Sequence, residues 1–211
     1  MTPADGPTIF VIDDDAAMRA SIQGLLKSVG LRSETFGTAQ EFLRIKRPDG
    51  PSCLILDVRL PGVNGLDFQR ELADGGFRIP IIFITGHGDI PMSVQAIKRG
   101  AVDFLPKPFG DEALLNAVAQ ALSRSTESWG KRDEVAQFRA RIATLTPREL
   151  EVFRLVIAGL LNKQIASELG AALRTIKTHR GRVMHKLGVE SVAELARLAQ
   201  TAGIAPAQLG T

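Results

Sequence analysis

The chain has 211 residues, 45% of them hydrophobic, with 26 Lys and Arg against 23 Asp and Glu, a net charge of +3 at pH 7 and one cysteine. That length holds two small cores, and the lone Cys53, set in an apolar run, excludes an intrachain disulfide and argues against a reactive thiol. No apolar run approaches the ~20 residues of a membrane span, 1–7 lacks the charged start and apolar centre of a signal peptide, and 5% aromatic residues argue against a base-stacking surface, so a cytoplasmic protein with no membrane partner is expected.

The first half alternates strand-like and helix-like segments. Apolar runs at 8–12, 53–56, 79–84 and 102–105 are continuous, as strands buried on both faces read. Segments 17–29, 39–47, 66–73, 90–99 and 112–122 repeat apolar residues every three or four positions and predict helices. Such an alternation predicts a doubly wound α/β fold, whose ligands sit at the carboxyl ends of parallel strands.

Asp13 and Asp14, Asp57, Thr85 and Lys107 each stand at the end of one of these runs. Converging carboxylates repel unless a cation joins them, and hard oxygen donors favour Mg²⁺. A carboxylate can also take a phosphoryl group as nucleophile, and Asp57, following the central run, is the candidate for that role. The Arg59 carbonyl can complete the metal shell, Lys107 can pair with phosphoryl oxygens, and the Thr85 hydroxyl can donate to them. Asp15 is expected to cap the helix that begins beside it.

In this order, Ile12-Asp13-Asp14-Asp15, Leu56-Asp57, Thr85-Gly86-His87-Gly88-Asp89 and Phe104-Leu105-Pro106-Lys107-Pro108-Phe109 resemble the receiver domain of two-component response regulators over 7–122. The resemblance implies a flavodoxin-like sheet of five parallel strands and a phosphoacceptor Asp57. It implies Asp14 and Asp57 as Mg²⁺ ligands with Asp13 as an outer acid, and Lys107 and Thr85 as phosphate partners. It further implies a cis Lys107-Pro108 peptide and Phe104 as an aromatic that turns inward when Thr85 moves. In such receivers the positions of Arg59 and His87 influence how long an aspartyl-phosphate lasts, although His87 by itself reads as a solvated loop residue.

Charge separates the halves. Up to Leu122 there are 12 basic and 15 acidic residues, whereas from Ser123 there are 14 basic and 8 acidic, so the tail is expected to bind nucleic acid. Residues 123–143 read as a polar linker, helical in its second part. Thr146-Pro147-Arg148-Glu149 is a capping box opening a helix to about Gly159; Asn162 is expected to cap a helix over 163–169; a third runs over 174–187 to Gly188. On this third helix Ile176, Val183, Met184 and Leu187 share one arc and Arg174, Thr178, Gly181, Arg182 and His185 the other. Ser191-Val192-Ala193-Glu194 is a second capping box, opening a last helix that closes the core or forms a dimer seam. His179 and His185 have no nearby Cys and are read as packing or phosphate contacts rather than metal ligands.

Leu145-Thr146-Pro147-Arg148-Glu149, Asn162-Lys163-Gln164-Ile165-Ala166, Thr175-Ile176-Lys177-Thr178-His179-Arg180 and Lys186-Leu187-Gly188-Val189 resemble the LuxR-type DNA-binding domain over 144–207. That likeness implies Lys177 and Thr178 as readers of bases and Lys163, Arg174, Thr175, Arg180 and Arg182 as phosphate contacts on double-stranded DNA. The expected organisation is a receiver over 1–122, a helical linker over 123–143 and an all-α four-helix helix-turn-helix domain over 144–211.

The whole chain most resembles FixJ-like response regulators. A sensor histidine kinase would phosphorylate Asp57, the receiver would dimerise through 90–122, with the last helix as a further contact, and DNA and RNA polymerase would be the downstream partners. An Mg²⁺-dependent phosphohydrolase would need an acid two residues beyond Asp57, where Arg59 stands. A constitutive DNA-binding regulator would not need the Asp14, Asp57, Thr85 and Lys107 set.

Overall fold

The computed structural model describes residues 6–45, 50–86 and 90–207. His87, Gly88 and Asp89 lie outside them. The chain divides into two compact units, Met1–Trp129 and Gly130–Thr211.

In the first unit the elements are β1 (Thr8–Ile12), α1 (Ala16–Ser28), β2 (Arg32–Phe36), α2 (Ala39–Leu43), β3 (Ser52–Asp57), β4 (Arg59–Leu60), β5 (Val63–Asn64), α3 (Gly65–Asp74), β6 (Ile81–Thr85), α4 (Ile90–Lys98), β7 (Asp103–Pro106) and the first turns of α5 (Asp111–Ile142). The main sheet is parallel, in the order β2-β1-β3-β6-β7. Its alternate residues feed two cores. Phe10, Ile12, Leu54, Leu56 and Phe83 face α2, α3 and α4, through Phe42, Phe68, Leu72 and Ala96. Ile9, Val11, Cys53, Ile55 and Ile82 face α1 and α5, through Ile22, Leu26, Leu114, Val118 and Ala121. Phe42 is the hub of an aromatic cluster, meeting Phe10 and Phe77 edge-on at 5.4 Å each.

Several expectations change here. β2 completes the five strands where no apolar run marked one. The second helix ends at Leu43 rather than 47, with Arg44 as its C-cap. Helix α5 continues from Asp111 through the expected linker to Ile142. Ser125 is buried in the first unit, where its hydroxyl accepts the Ser52 amide at 2.9 Å, and Phe138 is buried in the second.

The second unit holds the last turns of α5 with α6 (Pro147–Ile157), α7 (Asn162–Glu168), α8 (Leu173–Leu187) and α9 (Val192–Thr201). Its core joins Phe138, Val152, Phe153, Ile165, Ile176, Val183, Leu187 and Leu195. Thr146 and Glu149 form the reciprocal capping box. Gly170 and Gly188, at φ +57° and +67°, end α7 and α8 in the left-handed conformation that glycine adopts without steric cost. Asn162 does not cap α7. It is the first helical residue, its side-chain Oδ1 accepts Arg180 Nη1 at 2.8 Å, and the cap position is Leu161, whose amide donates to the Gln164 side chain. At α9 the Ser191 hydroxyl accepts the Glu194 amide, but Glu194 returns to the amide of Glu190 rather than that of Ser191.

Candidate functional site

Strand order reverses between β1 and β3, so connections leave these neighbours in opposite directions and open a crevice at their carboxyl ends. Asp13 follows β1 and Asp57 ends β3; Thr85 ends β6 one strand over, and Lys107 follows β7. The sheet itself delivers these side chains to one edge.

Asp13 is fully buried. One of its carboxylate oxygens accepts the Asp15 amide at 2.9 Å, and the other accepts Lys107 Nζ at 2.6 Å. Asp57 repeats the pattern: Oδ1 accepts the Arg59 amide at 3.0 Å and Oδ2 accepts Lys107 Nζ at 2.7 Å. The lysine ammonium therefore bridges both acids. Its own amide donates to the Thr85 carbonyl at 2.7 Å, and the Lys107-Pro108 peptide is cis. Burial raises the Asp13 carboxyl above the ordinary range, against the opposing pull of Lys107. Burial disfavours the Lys107 ammonium too, yet the two carboxylates together outweigh it and hold the lysine more firmly protonated.

Asp14 is exposed beside them, and ligand oxygens of Asp13, Asp14 and Asp57 lie within 4.8 Å of one another. Three hard donors at this spacing fit an oxygen-seeking divalent cation. Thr85 is fully buried, and the half-buried Phe104 ring lies 6.3 Å from that of Phe83. Asp15 caps α1, accepting the Ala17 amide at 2.8 Å.

Two site residues escaped the sequence reading. Arg19, on the first turns of α1, donates one guanidinium nitrogen to the carbonyls of Asp13 at 2.7 Å and Asp14 at 3.1 Å, clamping the acidic loop. Nothing in the sequence marked it, because its acceptors are backbone carbonyls. At Gly65 a Cβ would stand 2.7 Å from the Asp57 carbonyl, so only glycine lets the start of α3 close on the Asp57 loop.

In the second unit, α8 buries Ile176, Val183 and Leu187 and exposes Arg174, Thr175, Lys177, Thr178, Gly181, Arg182 and His185. Lys163 on α7 is exposed as well, whereas Arg180 is half-buried on Asn162. His179 is half-buried with Nδ1 unpartnered among the described residues. Other cations serve the fold. Arg139 donates to the Ala202 carbonyl after α9, Arg141 to the Leu187 carbonyl that ends α8, and Arg148 to the Leu169 carbonyl after α7. Lys186 pairs with the buried Glu149 at 2.6 Å.

A family model described as response regulator receiver domain matches residues 9–119, and one described as bacterial regulatory proteins, luxR family, matches 143–199. Nodulation protein W of Bradyrhizobium diazoefficiens is 53% identical over 93% of this chain and 86% of its own length. The transcriptional regulatory protein FixJ of Azorhizobium caulinodans is 43% identical over 96% of each chain. Among solved structures, the response regulator StyR aligns with TM-score 0.79 at 47% identity, over 93% of this chain and 99% of its own. Full-length FixJ from B. japonicum aligns with TM-score 0.53 at 41% identity, over 93% and 97%. Among the described residues no helix is long and apolar enough to cross a membrane.

Proposed function

This chain belongs to the transcriptional response regulators that join a receiver domain to a luxR-family DNA-binding domain, and from that premise we propose that Asp57 is its phosphoacceptor. The observation that carries the assignment is the Lys107 ammonium held between Asp13 and Asp57, at 2.6 and 2.7 Å, on the carboxyl edge of a parallel sheet. A carboxylate oxygen of Asp57 attacks phosphorus as the bond to the imidazole of a sensor histidine kinase breaks, leaving an acyl phosphate. The kinase histidine retains the bonding pair.

Asp13, Asp14, Asp57 and the Arg59 carbonyl would hold Mg²⁺, which would neutralise the phosphoryl oxygens when bound. Lys107 exchanges its bond to Asp57 for one to a phosphoryl oxygen, Thr85 donates its hydroxyl to another, and Phe104 moves with it. Receiver and DNA-binding domains are taken as 1–122 and 144–211, with 123–143 as the helical connection. Exposed Val94 and Ile97 on α4 favour residues 90–122 as the face through which phosphorylated receivers dimerise, with α9 as a further contact. On DNA, Lys177 and Thr178 of α8 read bases. Lys163, Arg174, Thr175 and Arg182 meet phosphates, and Arg180 does so while tethered to Asn162. The cytoplasm, where kinase, DNA and RNA polymerase meet, is its site of action.

Intact mass after incubation with a small acyl-phosphate donor and Mg²⁺, followed by sizing, tests the assignment. Wild type should gain one phosphoryl group and shift to dimer, and Asp57→Asn should do neither. An equal gain by Asp57→Asn, or none by wild type where a control receiver is phosphorylated, would place the chemistry elsewhere.

Arg19→Ala should weaken the binding of Mn²⁺, a paramagnetic stand-in for Mg²⁺, by about tenfold, the lower end of what lost supporting contacts to metal ligands cost. Proton relaxation enhancement measures this on unphosphorylated protein. Unchanged affinity would reduce the clamp to a contact of fold alone.

A further inference from the structure

Opposite the buried line Ile176, Val183 and Leu187, the middle of the exposed face of α8 is occupied by Thr178. Its hydroxyl donates to the Arg174 carbonyl one turn back, at 3.1 Å. A threonine hydroxyl has one proton, and this bond uses it, aiming Oγ1 at the helix backbone and leaving the methyl as the outward group. Gly181, one turn further on, places no side chain beside it and has open space where a Cβ would be. The cations Arg174, Lys177 and Arg182 surround this small apolar centre.

In the major groove guanine offers only acceptors, which a hydroxyl with its proton engaged cannot satisfy, while thymine alone presents a methyl group. The flanking cations are suited to phosphates and purine acceptors but supply nothing for that methyl. Resting on the proposal that α8 reads bases, we propose that Thr178 recognises thymine, methyl against methyl, at the centre of each half-site. The missing side chain at Gly181 lets the helix approach closely enough for the contact.

The test begins by selecting duplexes from a random library with the phosphorylated full chain, then replaces each selected thymine by deoxyuridine, which removes only the C5-methyl. One thymine per half-site should show about a fourfold loss of affinity on replacement, the ratio carried by a methyl withdrawn from water. Thr178→Val should keep that thymine-to-deoxyuridine ratio, since it retains the outward methyl without the hydroxyl. Thr178→Ser, which keeps the hydroxyl, should abolish it. Far-UV circular dichroism confirms that both variants fold. A ratio kept by Thr178→Ser and lost by Thr178→Val, or selected sites with no deoxyuridine-sensitive thymine, would overturn methyl recognition while leaving α8 as the reader. Failure of wild type to enrich any duplex would overturn the reading of α8 itself.

Discussion

Lys107→Ala is expected to destabilise the first unit by about 3 to 5 kcal/mol at neutral pH in chelator, the range for removing one partner of a buried ion pair. The cost comes from what remains. Asp13 is fully buried and Asp57 nearly so, and the ammonium at 2.6 and 2.7 Å is their shared countercharge. Without it two carboxylates face each other with one backbone donor apiece, the amides of Asp15 and Arg59. Divalent cation should then stabilise the variant far more than wild type, because it enters a site emptied of its competitor. Calorimetric unfolding with and without Mg²⁺ measures both effects. An equal stability loss in the two conditions would mean that Lys107 acts through packing, and the electrostatic account of the edge would fail.

The edge was legible because its four positions inherit their places from the sheet. A strand buried on both faces announces itself as an unbroken apolar run, and the residue that ends the run must stand at the carboxyl edge. The same logic hides β2. Arg-Ser-Glu-Thr-Phe at 32–36 is polar through its first four residues because this edge strand pairs only with β1 and leaves Arg32 exposed, so no apolar run marks it. Helix α5 was cut short for a related reason. Polar composition after Leu122 reads as linker, yet Ser125 continues the stripe of Leu114, Val118 and Ala121, and the Ser52 amide makes its burial affordable. A stripe every three or four residues is all a surface helix needs.

Arg19 was invisible for a different reason. It acts through backbone carbonyls, whose positions a sequence does not display, and an arginine near the start of a helix reads as solvated. Charge counting in the second unit pointed to a DNA-binding module but could not tell which cations serve the fold, for the same reason. Arg139, Arg141 and Arg148 satisfy carbonyls at helix ends, and Lys186 satisfies Glu149, so part of the basic excess holds helices together. With these set aside, the exposed cations on α7 and α8 are Lys163, Arg174, Lys177 and Arg182.

Glu149→Gln should cost the second unit about 2 kcal/mol at pH 7, the scale of a hydrogen bond to a charged group. Glu149 on α6 accepts Lys186 Nζ at 2.6 Å and the Thr146 amide at 2.9 Å, and Lys186 also reaches the Thr144 carbonyl at 3.3 Å. The lysine contact first, and the amide second, lower the Glu149 carboxyl from 4.5 to about 2. A carboxyl whose folded value lies below its unfolded one binds more protons when unfolded, so its contribution is complete above about 4.5 and is lost as pH falls through about 2. The gap between wild type and Glu149→Gln should therefore be flat from pH 7 down to about 4.5 and shrink below it. Glutamine still accepts the Thr146 amide, so the capping box survives and the difference isolates the charge. Lys186→Met should show the same pH dependence, and the double variant should lose little more than either alone, because one interaction is being removed from its two ends. Since Lys186 lies on the last turn of α8, this pair fixes α8 to α6. A pH-independent gap would mean that volume rather than charge holds the two helices in place.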